Sequence, residues 1–160
     1  MTTFYQTQGT DILWTSSGGD EVLTLTSLAN GDGRAGDEHD FGANFPQFIR
    51  VEIELDFNVA PTAGEIVNLF WASSKDGTNY DGECSGSDAA YNDEDDLRRL
   101  TLIKSLVCTN DTDSQRASGL LRLPARYGLP VVSNQSGQAL TSTGTDQKVT
   151  VTPINITDGA

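Results

Sequence analysis

Basic residues, histidine and cysteine are all scarce in this chain, and each scarcity excludes something. Ten Lys and Arg stand against 23 Asp and Glu, a net charge of -13 at pH 7. Phosphate backbones repel a surface this acidic, so no direct nucleic-acid partner is expected. Two cysteines, Cys84 and Cys108, are too few for a disulfide framework, and they lack the paired spacing of a zinc site. The single histidine, His39, has no nucleophile motif beside it, and GxSxG, HExxH, GxGxxG and P-loop patterns are absent. No enzyme and no cofactor is expected. No run of 18 apolar residues occurs, so no membrane span is predicted. The first residues, MTTFYQTQGTD, lack the basic and apolar regions of a secretory signal.

What is present is alternation. Residues 48–59 read FIRVEIELDFNV, with Ile49, Val51, Ile53, Leu55, Phe57 and Val59 on one parity. Arg50, Glu52, Glu54, Asp56 and Asn58 take the other. Successive strand side chains point to opposite faces, so this is a strand with one dry and one charged face. Glu65–Ser73 is a second strong strand, apolar on both parities. Such a strand is either central in a sandwich or covered by another subunit.

The rest of the chain reads as short strands between polar turns. Asp11–Ser16 and Glu21–Leu28 flank Ser17-Gly18-Gly19-Asp20 and predict a hairpin. Further strands are predicted at 98–108, 115–123, 129–133 and 147–156, the last with Pro153 marking an edge or an end. Residues 29–46 and 74–97 are two long loops rich in Gly and acid, and Asp93–Arg99 has room for one helical turn. About eight strands at this spacing predict an all-β fold, a jelly-roll-like antiparallel β-sandwich with two long loops. Residues 1–10 form an arm or short strand, and 11–160 the sandwich domain.

Four places carry residue types suited to chemistry. Asp37-Glu38-His39-Asp40 and Asp76–Glu83 are acidic, but neither has the ligand spacing of a calcium loop, so no metal is expected. Glu52 and Glu54 share a strand face at about 7 Å, within reach of a glycosidase pair, yet any solvent-facing strand shows such charges. Tyr80 and Tyr91 in the second loop are the aromatic residues placed to stack on a sugar.

Charge is unevenly distributed. Residues 1–97 hold 19 acids and 3 bases; residues 98–160 hold 4 acids and 7 bases. This allows an acidic outer surface and a neutral-to-basic contact face, unless folding interleaves the charges.

Five segments carry a resemblance: Val51–Phe57, Pro61–Gly64 (PTAG), Ser74–Tyr80 (SKDGTNY), Leu123–Tyr127 (LPARY) and Asn134–Gly137 (NQSG). Over residues 47–156 the chain resembles small virion structural proteins of tailed bacteriophages, of the capsid decoration (cement) type. The first 46 residues carry no part of the resemblance. It implies a protein made in the host cytoplasm and carried on the head exterior, with the major capsid protein and other copies of itself, as a dimer or trimer, for partners. On that reading, Arg98, Arg99, Lys104, Arg116, Arg122 and Arg126 are the expected capsid contacts. Phe4, Tyr5, Val67, Leu69 and Trp71 are the expected oligomer contacts. The alternative is a tail-associated receptor- or carbohydrate-binding module that uses Tyr80 and Tyr91.

Overall fold

The computed structural model describes residues 3–144 and 147–159. The strands are β1 (Thr3–Gln8), β2 (Ile12–Thr15), β3 (Glu21–Val22), β4 (Gly33–Ala35), β5 (His39–Asp40) and β6 (Phe48–Leu55), followed by β7 (Ile66–Ser74) and β8 (Ala89–Ala90). One helical turn, α1 (Glu94–Leu97), precedes β9 (Thr101–Val107), β10 (Gln115–Arg122), β11 (Tyr127–Gln135) and β12 (Lys148–Gly159). No helix among the described residues is long and apolar enough to cross a membrane.

Two sheets pack face to face. One runs β10-β6-β12-β2-β3, the other β8-β4-β11-β7-β9. Taking β2, β4, β6, β7, β9, β10, β11 and β12 as eight strands in chain order, the first pairs the last and the second pairs the seventh. The last also pairs the third, and the third pairs the sixth. This is the double Greek key of a jelly roll.

The dry face of β6 behaves as its alternation dictates: Ile49, Val51, Ile53 and Leu55 are fully buried. They meet Val67, Leu69 and Trp71 of β7 in the main core, with Trp14, Leu23 and Leu25 beside them. Phe57 is buried beyond the strand end, but Val59 is exposed, because the regular strand stops at Leu55.

β7 is apolar on both parities for a reason internal to the chain. Its second face, with Phe70 and Ala72, lies beside Leu129 and Val131 of β11. The 74–97 excursion folds back over that face and contributes Tyr80, Cys84 and Tyr91 to a second core. Asp93 starts α1 by accepting from the N–H groups of Asp95 and Asp96, which satisfies two orphan donors of the turn.

The expected hairpin at residues 11–28 is corrected. β3 is two residues long and pairs parallel to β2, Trp14 with Glu21 and Thr15 with Val22. The Gly18-Gly19 turn loops back far enough that Asp20 hydrogen-bonds Leu13 through its N–H and its carboxylate. A β-carbon on Gly19 would lie 2.5 Å from the Leu13 carbonyl oxygen, so only glycine permits this approach. Leu23 and Leu25 then turn inward instead of alternating along a strand.

β1 is a strand of the same chain. It pairs β12 from Gln8 opposite Ile154 to Thr3 opposite Gly159. β2 pairs the earlier part of β12, Ile12 opposite Val151. Three residues, Gly9 to Asp11, therefore oppose two, Thr152 and Pro153, which makes a β-bulge. Pro153 sits in mid-strand because its missing N–H would point at this bulge. Its carbonyl accepts from Gly9 N–H at 2.8 Å, and a residue's N–H and C=O share one side in an antiparallel ladder.

Candidate interaction surface

Seven of the ten basic residues are held by carboxylates of the same chain. They are Arg34 with Asp88, Arg50 with Glu52, Arg98 with Asp95, Arg99 with Glu83 and Asp96, Arg116 and Lys148 with Glu54, and Arg126 with Asp40. Lys75, Lys104 and Arg122 form no ion pair among the described residues. The six expected capsid-contact residues are thus split. Arg98, Arg99, Arg116 and Arg126 hold acidic neighbours in place, and the structure leaves Lys104 and Arg122 available.

The Glu54 site shows how this happens. Glu54 lies on the wet parity of β6, yet its side chain is largely covered, because β10 and β12 flank it. Arg116 Nη2 and Lys148 Nζ approach its two oxygens at 2.6 and 2.8 Å, and Ser114 donates to it. Burial alone would raise the Glu54 pKa, but these three hydrogen bonds outweigh it and hold the carboxyl below its ordinary value. Glu52 is bonded to Arg50 instead. The two glutamates therefore sit in separate ion pairs on the sheet face.

The Asp37–Asp40 cluster disperses in four directions. Asp37 accepts from Asp88 N–H, Glu38 accepts from the Tyr80 hydroxyl, His39 Nδ1 meets Glu21 at 2.7 Å, and Asp40 binds Arg126. The Arg126 hydrogen bond is the main cause that lowers the Asp40 carboxyl to about 2. Among the described residues no three His, Cys, Asp or Glu side chains converge on one point.

Lys104 and Arg122 lie along the seam where β9 of one sheet faces β10 of the other. β9 bulges at Ile103: Leu69 pairs Lys104, but Phe70 pairs Leu102. The bulged Ile103 packs on Gly119 of β10. Leu102 and Val107, opposite Phe70 and Ile66, lie on the outer face of one sheet, and Leu120, opposite Arg50, on the outer face of the other; all three are more than half exposed. They flank the seam from its two sides, with Lys104 on β9 and Arg122 on β10 as its uncompensated cations.

The seam runs to the end of the sandwich where β10 stops and β6 begins. There Arg122, Phe45, Gln47, Leu123 and Pro124 line an open hollow of about 450 Å³. Beyond Pro124 a second hollow, about 340 Å³, is lined by Ser73, Ser74, Lys75, Asn79 and Asp81. Lys75 and Arg122 thus stand on either side of the Pro124 ridge.

No family model matches the chain, and no curated protein matches it.

The other expected contacts are corrected by burial. Val67, Leu69 and Trp71 are fully buried inside the sandwich, so they are core and have no surface to offer a second copy. Tyr80 and Tyr91 are more than nine-tenths buried, with their hydroxyls spent on Glu38 and the Gly82 carbonyl. Neither ring face is free to stack on a sugar. The side chains of Phe4 and Tyr5 lie outside those described; their backbones belong to β1.

Sequence reasoning missed the exposed apolar residues beside the seam. Leu102 and Leu120 read as ordinary strand residues, and only the place of β9 and β10 at the ends of their sheets exposes them. It also missed Asp88, which ties the two long excursions to the body. Asp88 accepts from Thr24 N–H and hydroxyl and from Arg34. Burial opposes its ionisation, but the Arg34 and Thr24 hydrogen bonds lower its pKa overall.

Proposed function

We propose that this protein is a structural virion protein that docks on the outer surface of an assembled head and stabilises it. The β9–β10 seam and the Arg122 end of the sandwich meet an acidic, partly apolar partner surface. One observation carries the reading. In a chain of net charge -13, two of the three cations without an internal ion pair among the described residues, Lys104 and Arg122, lie on the neighbouring strands β9 and β10, and Arg122 and Lys75 line adjacent hollows. The remaining acidic surface repels nucleic acid and acidic faces of the partner, and so favours one docking orientation. Weak contacts repeated over a lattice add up through multivalency, and a protein that binds only the assembled shell stabilises it by mass action.

The test uses heads stripped of this protein and the purified chain. Wild type is expected to co-sediment with the heads and to raise the temperature at which they release DNA. Lys104→Glu with Arg122→Glu should abolish both effects. Arg98→Glu with Arg99→Glu changes net charge equally but alters residues already paired internally, and should leave binding intact. Equal loss in both double variants would reduce the effect to net charge alone, and unchanged binding in the first would remove the seam as the contact.

A further inference from the structure

The terminal strands at each side margin of the sandwich meet a neighbour from the other sheet or its loops. β9 abuts β10 through Ile103 and Gly119. On the opposite side the Val22 carbonyl of β3 accepts from Asp37 N–H, and β8 is only two residues long. A further long edge has no cover among the described residues. β6 ends at Phe48, opposite Ile154, so past that point β12 pairs only β1 among the described residues. The two strands leave the sheet as a ribbon, and a two-stranded ribbon alone is marginally stable in water.

The ladder fixes which backbone groups of β1 face outward. Gly9 N–H donates to the Pro153 carbonyl, which makes Gln8 and Ile154 a non-hydrogen-bonded pair. The N–H and C=O groups of Thr7, Tyr5 and Thr3 then point at β12. Those of Gln8, Gln6 and Phe4 point away from it and have no partner among the described residues. Soluble proteins guard such an edge with charge, proline or a cover. Here residues 3–10, TFYQTQGT, carry neither charge nor proline, in a chain that is 21% charged.

We propose that the outer edge of β1 pairs with the same edge of a second copy, antiparallel across a two-fold axis. The product is a four-stranded sheet, β12-β1 of one chain continued by β1-β12 of the other. A second copy fits for two reasons. The edge is neutral, so two strongly acidic molecules can meet there without bringing carboxylates together. Pairing like edges across a two-fold closes the assembly as a dimer and leaves no further edge of β1 to propagate. The free edge of β12 is the poorer choice, because its stretch past Ile154 includes the acidic residue Asp158, whereas residues 3–10 carry no charge. This inference holds whether or not the protein coats a head; if it does, each dimer presents two seams.

The experiment is native mass spectrometry and sedimentation equilibrium on the full chain. Wild type is expected at twice the 17.1 kDa chain mass. Gln6→Lys sets two cations against each other across the axis, and Gln6→Pro removes an outward N–H without taking a bond from the β1–β12 ladder. Both should run at the single-chain mass with an unchanged circular dichroism spectrum. The Gln6 and Gln8 amides should exchange slowly in wild type and fast in Gln6→Lys. A wild type that stays monomeric up to the concentration of a dense stock overturns the proposal. So does a dimer that survives both substitutions.

Discussion

Gly119 lies directly beneath Ile103. A β-carbon there would stand 2.7 Å from Ile103 Cγ2 and 2.8 Å from the Ile103 carbonyl oxygen. This contact joins the two sheets at the β9–β10 margin, and it is tight against backbone, which cannot swing aside. Gly119→Ala is therefore expected to destabilise the fold by about 1–3 kcal/mol, the usual range for overpacking. Urea unfolding measures it. A stability equal to wild type would mean that the margin opens freely.

Glu54 makes stability depend on acid. Its folded pKa lies below the ordinary 4.5, so its contribution is present above that value and lost as pH falls through the lowered folded value. Arg116 and Lys148 are partly solvated, so the contribution is about 1 kcal/mol. Glu54→Gln should unfold at lower urea than wild type at neutral pH, and the gap should close in acid. A gap that persists well below the Glu54 pKa would assign the loss to packing.

The two thiols are expected to be inert in the folded protein. Burial pushes Cys84 up to about 11 and is also the main cause that raises Cys108. The thiolate is the reactive species, so a disulfide reagent at mildly alkaline pH should label neither residue natively and both in urea. Fast native labelling of Cys84 would show that the 74–97 cover opens.

Asn134 ties its own turn to the stretch at Leu28 from a fully buried position. Its amide donates to the carbonyls of Leu28 and Gln138, at 2.9 and 2.8 Å, and its oxygen accepts from Ser136 N–H. Asn134→Ala leaves those groups without their partner and is expected to cost about 2–4 kcal/mol. A cost below about 1 kcal/mol, the net value of a single hydrogen bond, would mean that water replaces the amide.

The alternation of β6 was enough to place its core face, because a period-two pattern has only one way to bury four apolar residues. The same logic stopped short at β7. Apolar residues on both parities show that both faces are covered but not by what, and the cover is a segment rich in Gly and acid whose Tyr80, Cys84 and Tyr91 are spaced too irregularly to read as core. The parallel β2–β3 pair was invisible for a similar reason. A Gly-Gly turn between two apolar runs normally predicts a hairpin, and only the close approach of Gly19 to Leu13 turns the chain another way. The pairs Arg98–Asp95 and Arg99–Asp96 are three residues apart and were within reach of the sequence, but the partners of Arg34, Arg116 and Arg126 (Asp88, Glu54 and Asp40) lie far away in the chain and have no local signature. Only pairing across strands shows that Lys104 and Arg122 are the cations left over.

Thr3 faces Gly159 across the ribbon. A short turn that linked these two residues would convert the ribbon into a hairpin. The chain could then be opened between β9 and β10, at Asp111–Asp113, with every strand pairing retained. In such a circular permutant the pairing that now joins the most distant parts of the sequence would become the most local one. Because folding rates fall as contacts become less local, the permutant should fold faster than the parent while adopting the same jelly roll.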